Sequence, residues 1–302
     1  MGWGLGANDS ANVFGTAVAT RIISYKRAII LTSIFVMIGA MTQGWRVMPL
    51  FKKLSHLNAT EAILAALASA ITIHILTVRG IPSSSSQGVV GAVIGIGILD
   101  GTANFKPLLR CFACWVATPI GAAVISFILY GVGKWIVDRL VSNIRTFDTF
   151  VTWATILAGC YGSYSLGANS VSKVCGVYYA SGIMGAQEAA LLGGLGISLG
   201  VLTYSKNVMM TVGTKITALD PFSAAVSMLS AAMTVHFFTM VGVPVSTSQA
   251  AVGSVAGIGL VKGARALSRE TLIECSLGWL ATPIAAGVMA SIFVTAFRAI
   301  FL

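Results

Sequence analysis

The chain has 302 residues, 56% of them hydrophobic and only 9% charged, with a formal net charge of +10. A soluble globular domain carries roughly 25% charged residues, so the composition excludes one and predicts an all-α integral membrane protein embedded in lipid, because helices satisfy their own backbone groups there. Lys and Arg fall mostly between apolar segments (Lys26, Arg27; Lys52, Lys53; Arg139, Arg145; Lys262, Arg265, Arg269); this reads as loop topology and not as a nucleic-acid surface, since no soluble basic domain is there to carry one.

In chain order, the first landmark is Gly6-Ala7-Asn8-Asp9-Ser10-Ala11-Asn12. Two apolar helical runs follow, near 28–45 and 60–78, then the serine-rich stretch Gly80-Ile81-Pro82-Ser83-Ser84-Ser85-Ser86-Gln87. A short Gly-rich run (88–99) and a long apolar helix (111–136) complete this half. After the polar stretch Ser142-Asn143-Ile144-Arg145 comes an apolar segment, Phe147 to Leu166, and then a degraded copy of the first motif, Gly167-Ala168-Asn169-Ser170-Val171-Ser172-Lys173. The same series then repeats: runs at 187–204 and 222–241, Gly242-Val243-Pro244-Val245-Ser246-Thr247-Ser248-Gln249, a short run at 250–261 and a long helix at 275–301.

These matches define an internal duplication. The two motifs are offset by 161 residues, and the two serine-rich stretches by 162, with 11 of 18 positions identical through Gly97 and Gly259. Thr72-Ile73-His74 matches Thr234-Val235-His236, and Trp115-Val116-Ala117-Thr118-Pro119-Ile120 matches Trp279-Leu280-Ala281-Thr282-Pro283-Ile284. The halves are 1–146 and 147–302. The expected fold is a polytopic helical bundle of two repeats of inverted topology, with broken or re-entrant helices at the serine motifs. The short runs have too few residues to span a hydrocarbon core, which needs about 20. Short Gly/Pro-interrupted segments at matching places in two halves point to a transporter's central site. The second motif has an apolar helix before it that the first lacks; a start internal to a longer protein is the expectation, because the missing helix would shield the first motif from lipid.

The serine motifs offer hydroxyls and a helix N-terminus together, an oxyanion site without fixed positive charge. Capping alone needs one such residue, whereas Ser84, Ser85, Ser86 and Gln87, with Ser246, Thr247, Ser248 and Gln249, supply several in each half. Pro82 and Pro244 favour an extended entry. Asp9, a carboxylate among apolar neighbours, must be paired, protonated or bound to a cation; Asn8 and Asn12 add carbonyl oxygens suited to Na⁺, the competing role of the motif being helix packing through its glycine and amides. His74 and His236 read as hydrogen-bonded packing histidines, with a proton relay as the alternative. Cys111, Cys114, Cys160, Cys175 and Cys275 read as small apolar residues and not as a metal site. No HExxH, GxSxG, paired-carboxylate or P-loop pattern is present, which argues against an enzyme or an ATP-driven pump. A channel is the remaining rival; a carboxylate kept beside amides favours ion coupling.

The stretches GANDSANVFGT and SLGANSVSKVCG and the paired serine motifs resemble the inorganic phosphate transporter (PiT) family over nearly the whole chain. The resemblance implies inverted repeats, a homodimer, a multi-pass protein of the plasma membrane, and phosphate symport with Na⁺ or H⁺ as the coupling ion and no other cofactor. It places the anion at Asn8, Ser84, Ser85, Ser86, Gln87, Asn169, Ser246, Thr247, Ser248 and Gln249, and cation coupling, including any Na⁺, at Asp9 and Asn12. The family pattern has the GANDxAN motif in both halves. Here the second acid is Ser170 and the second amide is Lys173, a local charge change of +2. A fixed ammonium can stand where a monovalent cation would bind, so fewer coupling ions are expected; the competing expectations are that Lys173 snorkels to an interface or pairs with a nearby carboxylate. A carboxylate near the anion selects protonated phosphate over sulfate, so losing one keeps a sulfate permease as the alternative.

Overall fold

The computed structural model describes residues 1–79, 81, 83–140, 143–215, 219–263 and 269–301. Gly80, Pro82, Ser142 and Arg265, invoked in the sequence reading, lie outside them. Every regular element among the described residues is helical. The first half runs α1 (Gly2–Asp9), α2 (Ala11–Ala19), α3 (Tyr25–Gln43), α4 (Pro49–Leu54), α5 (Ala59–Val78), α6 (Ser85–Leu99) and α7 (Phe105–Leu140). The second runs α8 (Ile144–Ala180), α9 (Ala186–Tyr204), α10 (Lys206–Lys215), α11 (Pro221–Val241), α12 (Thr247–Lys262) and α13 (Arg269–Phe301). Among the described residues, six helical segments are long and apolar enough to cross a membrane: Tyr25–Leu54, Ala59–Val78, Phe105–Arg139, Ala186–Tyr204, Pro221–Val241 and Ile273–Phe301. The α8 helix is long but is not among them; Ser163, Ser165, Asn169, Ser170, Ser172 and Lys173 lie along it, all buried inside the protein.

Local chemistry sets the helix starts. Asn58 and Glu61 form a reciprocal capping box at α5, and Asn143 caps α8 through the Thr146 amide at 2.8 Å. The short helices begin inside the serine stretches, three residues earlier than the sequence reading places them, because Ser84 and Ser246 serve as N-caps and accept the Gln87 and Gln249 amides. At about 22–24 Å they still fall short of a core of about 30 Å. The outer faces of α7 and α13 expose Leu109, Phe112, Val116 and Ile120, and Leu277, Leu280, Ile284 and Val288. Their spacing of three and four residues makes a lipid-facing stripe.

The contacts between halves are reciprocal. α6 packs on α13 and α12 on α7; α1 packs on α9 and α3 on α8. The residues correspond one to one. A Cβ at Gly6 would collide with the Ile197 carbonyl and one at Gly167 with Val36, while one at Gly200 would collide with Trp3 and one at Gly39 with Tyr164. Each pair repeats the other at the 161-residue offset. The glycine of each polar motif is therefore there for close helix approach, separate from whatever its neighbours bind. Gly167→Ala is expected to force α8 away from α3, costing about 1–3 kcal/mol as an overpacking substitution. Thermal unfolding in detergent checks this: a midpoint unchanged from the parent would contradict the packing.

Charged groups tie the ends of the short helices to their neighbours. Arg298 near the end of α13 donates to Asp100 at 2.6 Å, just past α6, and to Glu61 at 2.8 Å at the start of α5. On the other half Lys262, in the last turn of α12, pairs with Asp220, the N-cap of α11. Asn58 and Asp220 are matching positions, as are Asp100 and Lys262, each at an offset of 162.

Candidate functional site

A cavity of about 570 Å³ opens between the two halves. Its polar wall brings together Asn8 and Asp9 at the end of α1, Ser83 and Ser85 at the start of α6, Ser246 and Ser248 at the start of α12, and His74 and Thr77 of α5. The apolar wall includes Trp3, Ile73 and Tyr204. Two helix N-termini thus present hydroxyls to one space, the donor arrangement that suits an oxyanion.

Asp9 is only 6% exposed, and its Oδ2 makes no hydrogen bond among the described residues. The Thr247 hydroxyl and, electrostatically, the Lys173 ammonium act on its carboxylate. The Oε1 atoms of Gln87 and Gln249 are likewise buried without a donor. These three atoms are acceptors, at matching glutamines and at the one acid of the motif pair; Ser33, Arg46, Thr72 and Ser165 also bury a side-chain polar atom without a partner among the described residues.

Of the residues singled out from sequence, Asn8, Asp9, Ser85, Ser246 and Ser248 meet in the cavity. Ser84 and Ser86 are buried behind it and bond each other at 3.0 Å, and Ser246 bonds Ser248 at 2.8 Å. Thr247 and Asn12 line a separate, smaller space of about 20 Å³ among α2, α8, α11 and α12. Asn169 is fully buried and committed to protein partners: its amide nitrogen donates to Thr239 at 2.9 Å and to the Val243 carbonyl at 3.5 Å, and its oxygen accepts from the Val245 amide at 3.2 Å. Ser170 and Lys173 are fully buried together, with Nζ 3.2 Å from the Ser170 hydroxyl. Lys173 therefore does not snorkel to an interface; its direct partner is the Ser170 hydroxyl, and the Asp9 carboxylate acts on it only electrostatically.

The matched histidines differ. His236 bonds Tyr161 at 2.6 Å and Gln43 at 2.8 Å, as a packing histidine should. His74 is exposed on the cavity wall; the packing role expected of it is corrected, because α5 turns that face to open space. Sequence reasoning misses Trp3 and Tyr204. Their rings meet at a tilt of 40° with centroids 5.3 Å apart, and Trp3 donates to Thr203 at 2.8 Å; as aromatics in apolar runs they carry no local signal of a cavity. The five cysteines are all buried free thiols.

The model of the phosphate transporter family matches residues 5–290. A protein of Methanocaldococcus jannaschii named a putative phosphate permease is 30% identical over 282 residues, covering 93% of this chain and 89% of that one. One of Bacillus subtilis named a probable low-affinity inorganic phosphate transporter is 28% identical over 303 residues, covering 93% and 89%. Among solved structures, one described as the sodium-dependent phosphate transporter superposes with a TM-score of 0.84 over 100% of this chain and 97% of its own, at 24% identity, and so shares the fold. With its family model spanning nearly the whole chain, and six segments among the described residues long and apolar enough to cross a membrane, the chain belongs to the phosphate transporter family and is a multi-pass membrane protein.

Proposed function

We propose that the protein imports inorganic phosphate by symport with a monovalent cation, Na⁺ or H⁺, without chemically converting it. The observation that carries this reading is the convergence of Ser85, Ser246 and Ser248, at two helix N-termini, with Asn8 and Asp9 on one cavity. The hydroxyls, the Asn8 amide and the helix ends take the anion, with Ser84, Ser86, Gln87, Thr247 and Gln249 completing the two motifs. Asp9 and Asn12 take the cation. The buried Asp9 Oδ2, which has no donor, supports this half of the reading, because a hard cation satisfies oxygen atoms that no protein donor reaches. Ser170 and Lys173 set the charge of the second motif. The reading extends to two repeats, 1–146 and 147–302, of inverted topology, with α6 and α12 re-entrant; the reciprocal α6–α13 and α12–α7 packing supports it. A homodimer follows from the family resemblance alone.

Sulfate is the second reading. Ser170 leaves the motif pair with one carboxylate, and selection of protonated phosphate over sulfate needs an acceptor for phosphate's proton. Uptake of labelled phosphate into proteoliposomes, with and without Na⁺ and proton gradients, decides among these. The expected result is saturable accumulation that needs one gradient and that unlabelled phosphate competes for better than sulfate. Better competition by sulfate would make the protein a sulfate permease. Equilibration without accumulation under either gradient would make it a channel.

A further inference from the structure

The extended segment Val243–Val245, which enters α12, is held at nearly every backbone group. The Val243 amide donates to the Phe238 carbonyl at 3.0 Å, and its carbonyl accepts from Asn169. The Pro244 carbonyl accepts from the Trp115 indole of α7 at 3.0 Å, and the Val245 amide donates to Asn169. Buried backbone groups need such partners, and an extended segment has none of its own. The next residue, Ser246, caps α12, and Ser246 and Ser248 face the cavity. Asn169 is 0% exposed and its third partner, the Thr239 hydroxyl, is itself fixed by donating to the Val235 carbonyl at 2.9 Å. The matching amide in the first motif, Asn8, is instead exposed on the cavity wall.

We propose that Asn169 is a positioning residue and not an anion ligand: its carboxamide locks the entry to α12 and so places Ser246 and Ser248 in the cavity. The two copies of one motif have divided the work, Asn8 meeting the solute and Asn169 holding the opposite helix start that meets it. This rests on the cavity being the anion site for its functional consequence, though not for its geometric one. An amide with both ends committed has no donor left for an anion, and removing it leaves the Val245 amide buried without an acceptor.

The test reads the position of α12 directly. In a Ser248→Cys protein, the reaction rate of that thiol with a hydrophilic maleimide is measured in the absence of phosphate; the five native cysteines are buried and give a low background. Asn169→Ala is expected to change this rate severalfold, and Thr239→Val, which removes one of the partners from outside the cavity, to change it in the same direction by less. In proteins with Ser248 intact, both substitutions are expected to raise the KM for phosphate, Asn169→Ala by about tenfold. An unchanged labelling rate in Thr239→Val, or in Asn169→Ala where uptake is lost, overturns the positioning role. If the parent protein carries no phosphate at all, the cavity reading fails while the labelling result still decides the role of Asn169.

Discussion

Asp9→Asn is expected to abolish gradient-driven phosphate uptake in the protein that folds, and to lower the folded yield, because it leaves the buried Lys173 ammonium without its compensating charge. The substitution keeps the shape of the side chain and removes only its charge. The carboxylate is buried, one oxygen is without a hydrogen-bond partner, and it forms part of the cavity wall. A unit charge at about 4 Å from a cation interacts by about 4 kcal/mol at the effective dielectric of a partly buried site, or about a thousandfold in cation affinity. A carboxylate whose purpose were structural would have its oxygens used by protein donors, as those of Asp220 are by Ser223 and Lys262. The measurement is initial uptake in proteoliposomes at the cation concentration that half-saturates the parent, where a loss of cation affinity lowers the rate directly. Retention of more than about a tenth of the parent's cation-dependent rate in Asp9→Asn, against the thousandfold loss expected, would remove Asp9 from the coupling site. Downhill phosphate exchange is expected to survive at a reduced rate, since the hydroxyls of α6 and α12 remain.

The order of the long helices was legible in the sequence because its signals are local, apolar runs of spanning length punctuated by Pro, Ser and Gly; the short helices α1, α2, α4 and α10, and the run of α8 through the second motif, were not, because they lack such a run. The duplication was legible for the same reason, being a comparison of the chain with itself. What the cavity sees was not. At the 162-residue offset the partners of Ser246 and Ser248 are Ser84 and Ser86, yet on the first side the cavity meets Ser83 and Ser85, while Ser84 and Ser86 are buried. The cavity is lined by different positions of the two matched stretches, so residues that correspond in sequence face different surroundings. The same asymmetry separates His74 from His236 and Asn8 from Asn169. Where the short helices begin was not legible either, because a run of serines contains both the cap and the first turn, and only the backbone distinguishes them.

Restoring the second motif by combining Ser170→Asp with Lys173→Asn is expected to add one cation to each transport cycle. Lys173 lies in the interior of α8, 0% exposed, with the Ser170 hydroxyl as its direct side-chain partner and Asp9 acting on it electrostatically. A buried ammonium is expensive unless compensated, and here the compensation comes from the other half's motif. That is the electrostatic situation of a bound cation, with the difference that a covalently held one cannot leave with the phosphate. The double variant would place an acid at position 170 and an amide at position 173, the spacing that Asp9 and Asn12 have in the first motif. It would leave a carboxylate that only a mobile cation can neutralise. Lys173→Met alone removes the tethered charge and leaves Asp9 without its counter-ion, so it is expected to tighten the apparent cation affinity without changing the number of ions carried. The ratio of cation to phosphate, read from reversal potentials in proteoliposomes, tests both. A ratio unchanged in the double variant, with uptake intact, would show that Lys173 has no part in coupling and serves only to neutralise Asp9 within the fold.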